Sequence, residues 1–285
     1  MRFCIEMNKK ILVLALALIG VGAFSYQAKA DDGTKGISLE VGADVVSGYL
    51  WRGYNLGGLS IQPSVTFGWN GLYLCGWANI GADSWRFEEF NPELDITIGY
   101  DNYGVALDLT HLYYFGGDKY FKGLDNPQNL SASTMELHAG FHLGDLVEKV
   151  PLSIDWYTTM LGYDPIVDSE GNVKRAYSTY IQLGYDIYLP LDIVLGLKVG
   201  FTPWKGLYSN YEDVWTNGRT VGFNNLQLRA EREFELGKLY INVWGEAMFN
   251  CYGVDKNNII LPIGEASNQK LNGCIGVGIY FCDEW

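Results

Sequence analysis

The chain lacks most of what would build a helical membrane protein or a soluble enzyme. Beyond residue 30 no apolar run approaches the roughly 20 residues that a membrane helix requires. Proline is scarce, with 8 in 285 residues, and so is positive charge, with 20 Lys and Arg against 33 Asp and Glu. A net charge of −13 excludes nucleic acid as an expected partner, because nucleic acid selects basic surfaces. Only three histidines are present, His111, His138 and His142, and no serine motif accompanies them. A hydrolase site built on a nucleophile, a base and an orienting group has little to draw on. No enzyme activity, cofactor or bound metal is therefore expected, although Glu136, His138 and His142 share one strand face and a metal between them is the alternative.

What is present begins at the N-terminus. Lys9 and Lys10 precede an apolar run from Ile11 to Phe24, followed by Ala28-Lys29-Ala30 and then Asp31 and Asp32. A basic start, a short apolar run and a small-x-small site make a secretory signal peptide, with cleavage expected after Ala30 and Met7 as an alternative start. Residues 1–30 carry four bases against Glu6, a net +3, so residues 31–285 carry −16. Four cysteines follow, Cys75, Cys251, Cys274 and Cys282. An even count in an exported chain allows two disulfides. However, Cys274 and Cys282 fall on one segment, about 26 Å apart at roughly 3.3 Å per residue. Cys251 and Cys274 have opposite parity across a hairpin. They read as small wall residues.

From residue 37 onward, segments of about ten residues alternate apolar with polar or small side chains. In the last segment Ile275, Val277, Ile279 and Phe281 take one parity, and Gly276, Gly278 and Tyr280 the other. A strand sends successive side chains to opposite faces, so each segment has one apolar face. Twelve such strands are expected: 38–52, 61–69, 72–81, 93–101, 104–115, 134–143, 151–161, 176–188, 192–202, 222–234, 239–250 and 272–282. Asn70-Gly71 between two of them is a strong hairpin signal. The connections are short after even-numbered strands and long after odd-numbered ones. Only helices and closed barrels satisfy their backbone in lipid, and such barrels have short turns at one end and long loops at the other. The expected fold is all-β: a transmembrane antiparallel up-and-down barrel of about twelve strands at 31–285, both termini periplasmic. Ten or fourteen strands, or a secreted sandwich, are the alternatives. Aromatics at 15%, with 20 Tyr and 9 Trp, suit girdles at two membrane interfaces. Trp285, in phase with Phe281, matches the aromatic ending common in such barrels.

If the apolar parity faces lipid, the other parity faces the lumen. Candidate pore-lining residues are Asp44, Arg52, Asp95, Asp108, Glu136, His138, Asp155, Lys198, Arg229, Glu231 and Glu246. Asp101, Asp186, Glu40 and Glu233 share that parity. Charge on a lipid face costs about 2–4 kcal/mol near the midplane for Arg or Lys, so this one-sided placement supports the barrel. Arg232 has lipid parity near a strand end, where it can snorkel. Arg52 and Arg229 are expected to pair with neighbouring acids. Tyr49 and Trp51 fall on the apolar face of the first strand. The aromatics Trp85, Phe87 and Phe90, and Trp204, Tyr208, Tyr211 and Trp215, sit in long loops and read as an outer girdle, with sugar stacking at the mouth as the alternative. The stretch from Asp164 to Asn172 lacks the spacing of a calcium loop and reads as a hairpin tip.

The segment Ser47-Gly-Tyr49-Leu-Trp51-Arg52-Gly53, then Ile61-Gln-Pro63, Gly71-Leu-Tyr73 and Gly76-Trp77-Ala-Asn79, resembles the opening of the TorF-like porins of Gram-negative bacteria. Glu93-Leu-Asp95 and Leu112-Tyr-Tyr114 look like that family's next hairpin, so the likeness covers roughly residues 44–115. The resemblance implies an outer-membrane channel. The expected function is passive passage of small solutes, with a preference for cations or neutral molecules. A non-conducting barrel acting through its outer loops is the alternative. Expected partners are outer-membrane lipid, the barrel-assembly machinery and small solutes.

Overall fold

The computed structural model describes residues 36–82, 92–114, 122–129, 133–147, 150–208, 222–251 and 270–284. Twelve antiparallel strands close into one barrel. They are β1 (Ile37–Val46), β2 (Ser60–Trp69), β3 (Leu72–Gly81), β4 (Glu93–Asn102), β5 (Val105–Tyr114), β6 (Thr134–His142), β7 (Leu152–Leu161), β8 (Thr179–Leu189), β9 (Ile193–Thr202), β10 (Gly222–Leu236), β11 (Leu239–Asn250) and β12 (Leu271–Glu284). Each pairs with the next, and β1 pairs with β12, from Ser38 opposite Glu284 to Val46 opposite Gly276. No wall strand is left with an open edge, which is what hydrocarbon demands of a sheet. β1 begins and β12 ends at the end that carries the short turns.

The turns follow from local chemistry. Asn70 and Gly71 both have positive φ, 51° and 84°, as a two-residue hairpin between twisted strands needs. Tyr103 and Gly104 do the same, at 54° and 69°, one residue later than the expected Asn102-Tyr103. The longest turn-end connection, after β6, contains a one-turn helix, Leu143–Leu146, that strand periodicity does not anticipate.

The two parities separate cleanly. Along β12, Ile275, Val277, Ile279 and Phe281 are exposed, whereas Cys274 is buried and Trp244 of the neighbouring strand is 5% exposed. Ile98, Leu107, Leu74 and Leu228 continue the exposed apolar belt around the wall. An apolar outer surface this continuous belongs in lipid rather than water. Trp69, Tyr103 and Tyr185 lie on the outside towards the turn end. Trp204 and Phe223 lie on the outside at the loop end, where the Trp204 ring packs on Trp156 at 6.0 Å. Arg232 lies over the Phe234 ring and reaches towards Asp192, 3.9 Å away at the turn end.

The main departure from the expected strands is at the first. The wall strand stops at Val46, not at residue 52, and Tyr49–Trp51 pairs with Tyr54–Gly57 as a separate two-stranded hairpin. Tyr49 and Trp51 therefore leave the lipid face assigned to them and turn into the lumen. Alternation alone does not register the change, because it continues in phase through Ser47 and Gly48. The expected strand 176–188 likewise begins at Thr179.

At the loop end, Pro165–Val167 pairs with Val173–Arg175, the hairpin tip expected between Asp164 and Asn172. Asp168 caps its turn, accepting hydrogen bonds from the amides of Glu170 and Asn172 at 2.9 Å each, and pairs with Lys174. Arg175 donates to the carbonyls of Gly162, Leu124 and Asp125. The amide of Gly162 donates to Leu124 and that of Asp164 to Pro127. The described part of the long 116–133 connection is thereby held on this hairpin and does not border the main cavity within the wall. The signal segment, Trp85, Phe87, Phe90, Tyr211, Trp215 and Trp285 lie outside the described residues.

Two tests follow. Leu228 faces lipid mid-strand, opposite Leu197 and Ala247, whereas its neighbour Gln227 lines the lumen. Leu228→Arg should destabilise the folded barrel by about 2–4 kcal/mol in a denaturant titration in lipid, and Gln227→Arg by much less; equal costs would contradict the assigned faces. Asp164 receives the Ser178 hydroxyl and its amide, yet burial pushes its carboxyl up to about 6. A carboxyl raised in the folded state takes up protons between the unfolded value near 4 and about 6, so this site is more stable on the acid side. Exchange protection at the Ser178 amide, corrected for intrinsic rate, should be greater at pH 4.5 than at pH 7. Asp164→Asn should remove that dependence.

Candidate functional site

Within the wall is a cavity of about 900 Å³. It runs from the turn end, where Asn70 and Gly71 border it, to the inward hairpin at Tyr49 to Arg52. Of the expected lumen residues, Arg52, Asp95, Asp108, Glu136, His138, Asp155, Lys198, Arg229, Glu231 and Glu246 line it. Asp44 also points inward but is fully buried, receiving a hydrogen bond from the Tyr280 hydroxyl. Ten acids line the cavity in all, including Glu40, Asp101, Asp186 and Glu284, against Arg52, Lys198 and Arg229 as fixed bases.

These charges gather into three groups. The first is around Arg52. Its guanidinium makes a two-pronged bond to Glu136, with Nη2 to Oε1 at 2.6 Å and Nη1 to Oε2. Nη1 also donates to the Tyr208 hydroxyl at 2.6 Å, and that hydroxyl donates to Glu136 Oε2 at 2.9 Å. The guanidinium lies 3.9 Å from the Tyr157 ring centre, 4.6 Å from Trp51, and 5.4 Å from both Tyr180 and Tyr208. A planar cation with an acid at its fork and aromatic faces around it is held by directional bonds and by ring quadrupoles at once.

A second group lies beyond Tyr157, whose ring stacks on His138 at 4.4 Å and 11°. His138 Nδ1 is 2.6 Å from Asp108 Oδ2, and its Nε2 is 3.0 Å from Asp155 Oδ1. His142 Nε2 meets the same Asp155 oxygen at 3.0 Å, and the Tyr73 hydroxyl donates to Asp108 at 3.0 Å. The two lumen histidines thus converge on a carboxylate, while Glu136 belongs to Arg52. Among the described residues no cluster of His, Cys, Asp and Glu has the arrangement of a metal site. The third group is Arg229, which pairs with Glu231 at 2.8 Å and Glu246 at 3.6 Å and lies 4.4 Å from the Trp244 ring centre. All four cysteines after residue 30 are free.

Tyr208 was not legible as a lumen residue. It was expected in the outer girdle with Trp204. Trp204 is there, but Tyr208 is 4% exposed inside, packed on Trp51 at 5.7 Å and on Tyr180 at 5.7 Å. No spacing rule separates two aromatics four apart in an irregular loop. The hairpin had a signal that the strand reading passed over. Arg52-Gly53 between Trp51 and Tyr54 is a two-residue turn with Gly second, and both residues have positive φ, 46° and 97°.

No protein-family model matches the chain, and no curated protein matches it in sequence. Solved structures of similar shape include the NanC porin, at 10% identity over 85% of this chain and 98% of that one, TM-score 0.45. An outer-membrane channel from Pseudomonas putida F1 has 14% identity over 92% and 100%, TM-score 0.45. The CymD monoaromatic hydrocarbon channel has 12% identity over 95% and 97%, TM-score 0.42.

The aromatic packing around Arg52 depends on room made by glycine. A Cβ at Gly200 would overlap the Tyr180 hydroxyl and Asn225 Oδ1, whereas one at Gly81 would meet nothing within 4 Å. Gly200→Ala should therefore destabilise the folded protein by about 1–3 kcal/mol through overpacking and displace Tyr180. Gly81→Ala should be close to neutral. Equal unfolding midpoints for the two variants would contradict this packing.

Proposed function

We propose that the protein is a porin-like channel of the outer membrane that passes small solutes passively and favours cations or neutral molecules. The observation that carries this reading is the closed wall around a cavity with ten acids and three fixed bases. In a narrow space with low-dielectric walls, charge of one sign focuses the field and enriches counter-ions. Acidic rings select cations in channels generally. Screening over about 8–10 Å at physiological salt leaves that effect intact across a narrow lumen. The resemblance of residues 44–115 to TorF-like porins supports the same reading. In this orientation the turn end, with both ends of the described barrel, faces the periplasm. Insertion would depend on the barrel-assembly machinery, as the fold class implies. The histidines engage Asp108 and Asp155, which favours a structural or electrostatic role over a catalytic one.

One feature favours a second reading. The hairpin that carries Arg52 lies across the loop end of the cavity, as expected of a non-conducting barrel that acts through its loops. Conductance of the purified protein in planar bilayers decides between them. Discrete channels support the first reading, and silence from protein shown to be folded supports the second. In a salt gradient the reversal potential should indicate cation preference, and an anion-selective value would refute it. Glu40→Gln with Asp101→Asn should weaken the preference more than Glu231→Gln, because Arg229 already offsets Glu231.

A further inference from the structure

The aromatic box around Arg52 is a cation site filled by the chain's own side chain. We propose that the segment 47–57 is a tethered plug, and that its seat in the wall is a guanidinium site that solutes bearing a guanidinium group can occupy in place of Arg52. The consequence for conduction rests on the channel reading, but the seat itself does not.

The seat belongs to the wall. Glu136, Tyr157 and Tyr180 come from β6, β7 and β8, three adjacent strands; Tyr157 stands opposite Tyr180, and Glu136 lies diagonal to Tyr157, one place along the same lumen face from Tyr157's partner His138. They hold the guanidinium by its fork and its face. All three belong to strands of the closed wall and not to the hairpin. Arg52 and Glu136 have side chains only 9% exposed, yet Arg52, Glu136 and Tyr157 border the cavity that reaches the turn end.

The plug is tethered at its base, where the Ser47 amide donates to the Ile275 carbonyl and the Ile275 amide to Ser47 Oγ, at 2.9 Å each. Its two short strands pair with each other and share no ladder with the barrel. Its other hydrogen bonds to the rest of the chain include two with sulfur, Cys274 Sγ to the Gly48 carbonyl and the Gly53 amide to Met248 Sδ. Tyr54 reaches the Leu207 carbonyl at 3.4 Å. Rings add Tyr49 on Trp77 at 5.6 Å and Trp51 on Tyr208. Arg52 itself sits at φ 46°, a conformation that a side-chain-bearing residue adopts at a cost. That cost is spent at the one position that presents the fork to Glu136.

The chemistry sets the specificity. A guanidinium offers paired N–H donors in a plane that matches both carboxylate oxygens and stacks on aromatic faces, whereas an ammonium is a compact, strongly hydrated point charge. The seat should therefore separate the two at equal charge. The test uses the full chain refolded into micelles and planar bilayers, with Arg52→Ala to vacate the seat and Arg52→Gln should the alanine variant not fold. Methylguanidinium is titrated against methylammonium, following both current and intrinsic tyrosine and tryptophan fluorescence. The vacated protein should conduct severalfold more than wild type. Methylguanidinium should block it, and change its fluorescence, at concentrations at least fivefold below those of methylammonium. Adding Glu136→Gln should abolish the difference. Equal response to the two cations in the folded variant would overturn the seat, and unchanged conductance would overturn the plug. Silence of every form, with the fluorescence discrimination intact, would refute the channel reading and leave the seat standing.

Discussion

A backbone that crosses hydrocarbon has no water to bond with, and the rest of this structure follows from meeting that demand by closure. β1 must find β12, so the strand count must be even for both ends of the barrel to lie together, as they do here. Closure fixes an inside and an outside, and the two-residue period of a strand then sorts every side chain between them. The sequence obeys that sorting closely. Ile275, Val277, Ile279 and Phe281 occupy the outer parity along β12, and Cys274, Gly276, Gly278 and Tyr280 take the inner one.

The inside then poses a second problem. Twelve strands enclose more room than the side chains of eight would fill, but less than an open porin leaves. Large aromatics fill part of it, each over a small neighbour: Tyr180 over Gly200, and Trp244 over Gly276. Charges fill the rest, and a buried charge without a partner is expensive. The lumen answers by grouping them, Arg52 with Glu136, His138 with two aspartates, and Arg229 with two glutamates. Much of the acidic excess is thus committed to internal pairs. In the proposed channel, selectivity would fall to the acids nearer the turn end, such as Glu40 and Asp101.

How much of this the amino-acid order reveals depends on whether a feature is periodic. The twelve strands, the turn end and the loop end follow from alternation and spacing, and ten of the eleven candidate lining residues border the cavity, nine of them from wall strands and Arg52 from the hairpin. β3 and β11 coincide with their expected limits. The features that alternation misses are those where the chain leaves the wall without breaking phase. Tyr49 and Trp51 keep the apolar parity of β1, so they read as lipid-facing until the turn at Arg52-Gly53 is given its own weight. Tyr208 comes from an irregular loop, where parity has no meaning. In each case a long-range contact decides the position, Glu136 for the hairpin and Trp51 for Tyr208, and neither partner is near in sequence.

The same reasoning supports the proposed plug role of the hairpin that escapes the strand pattern. A wall strand cannot move without exposing a ladder of backbone groups to lipid. A hairpin that bonds mainly to itself carries its ladder with it and leaves no edge behind. Beyond the Ser47–Ile275 bonds at its base, its attachment lies largely in side chains, above all the fork of Arg52 on Glu136, and side-chain attachments can be exchanged for a ligand or a water shell. In a closed barrel, the segments free to rearrange are those that have already left the wall.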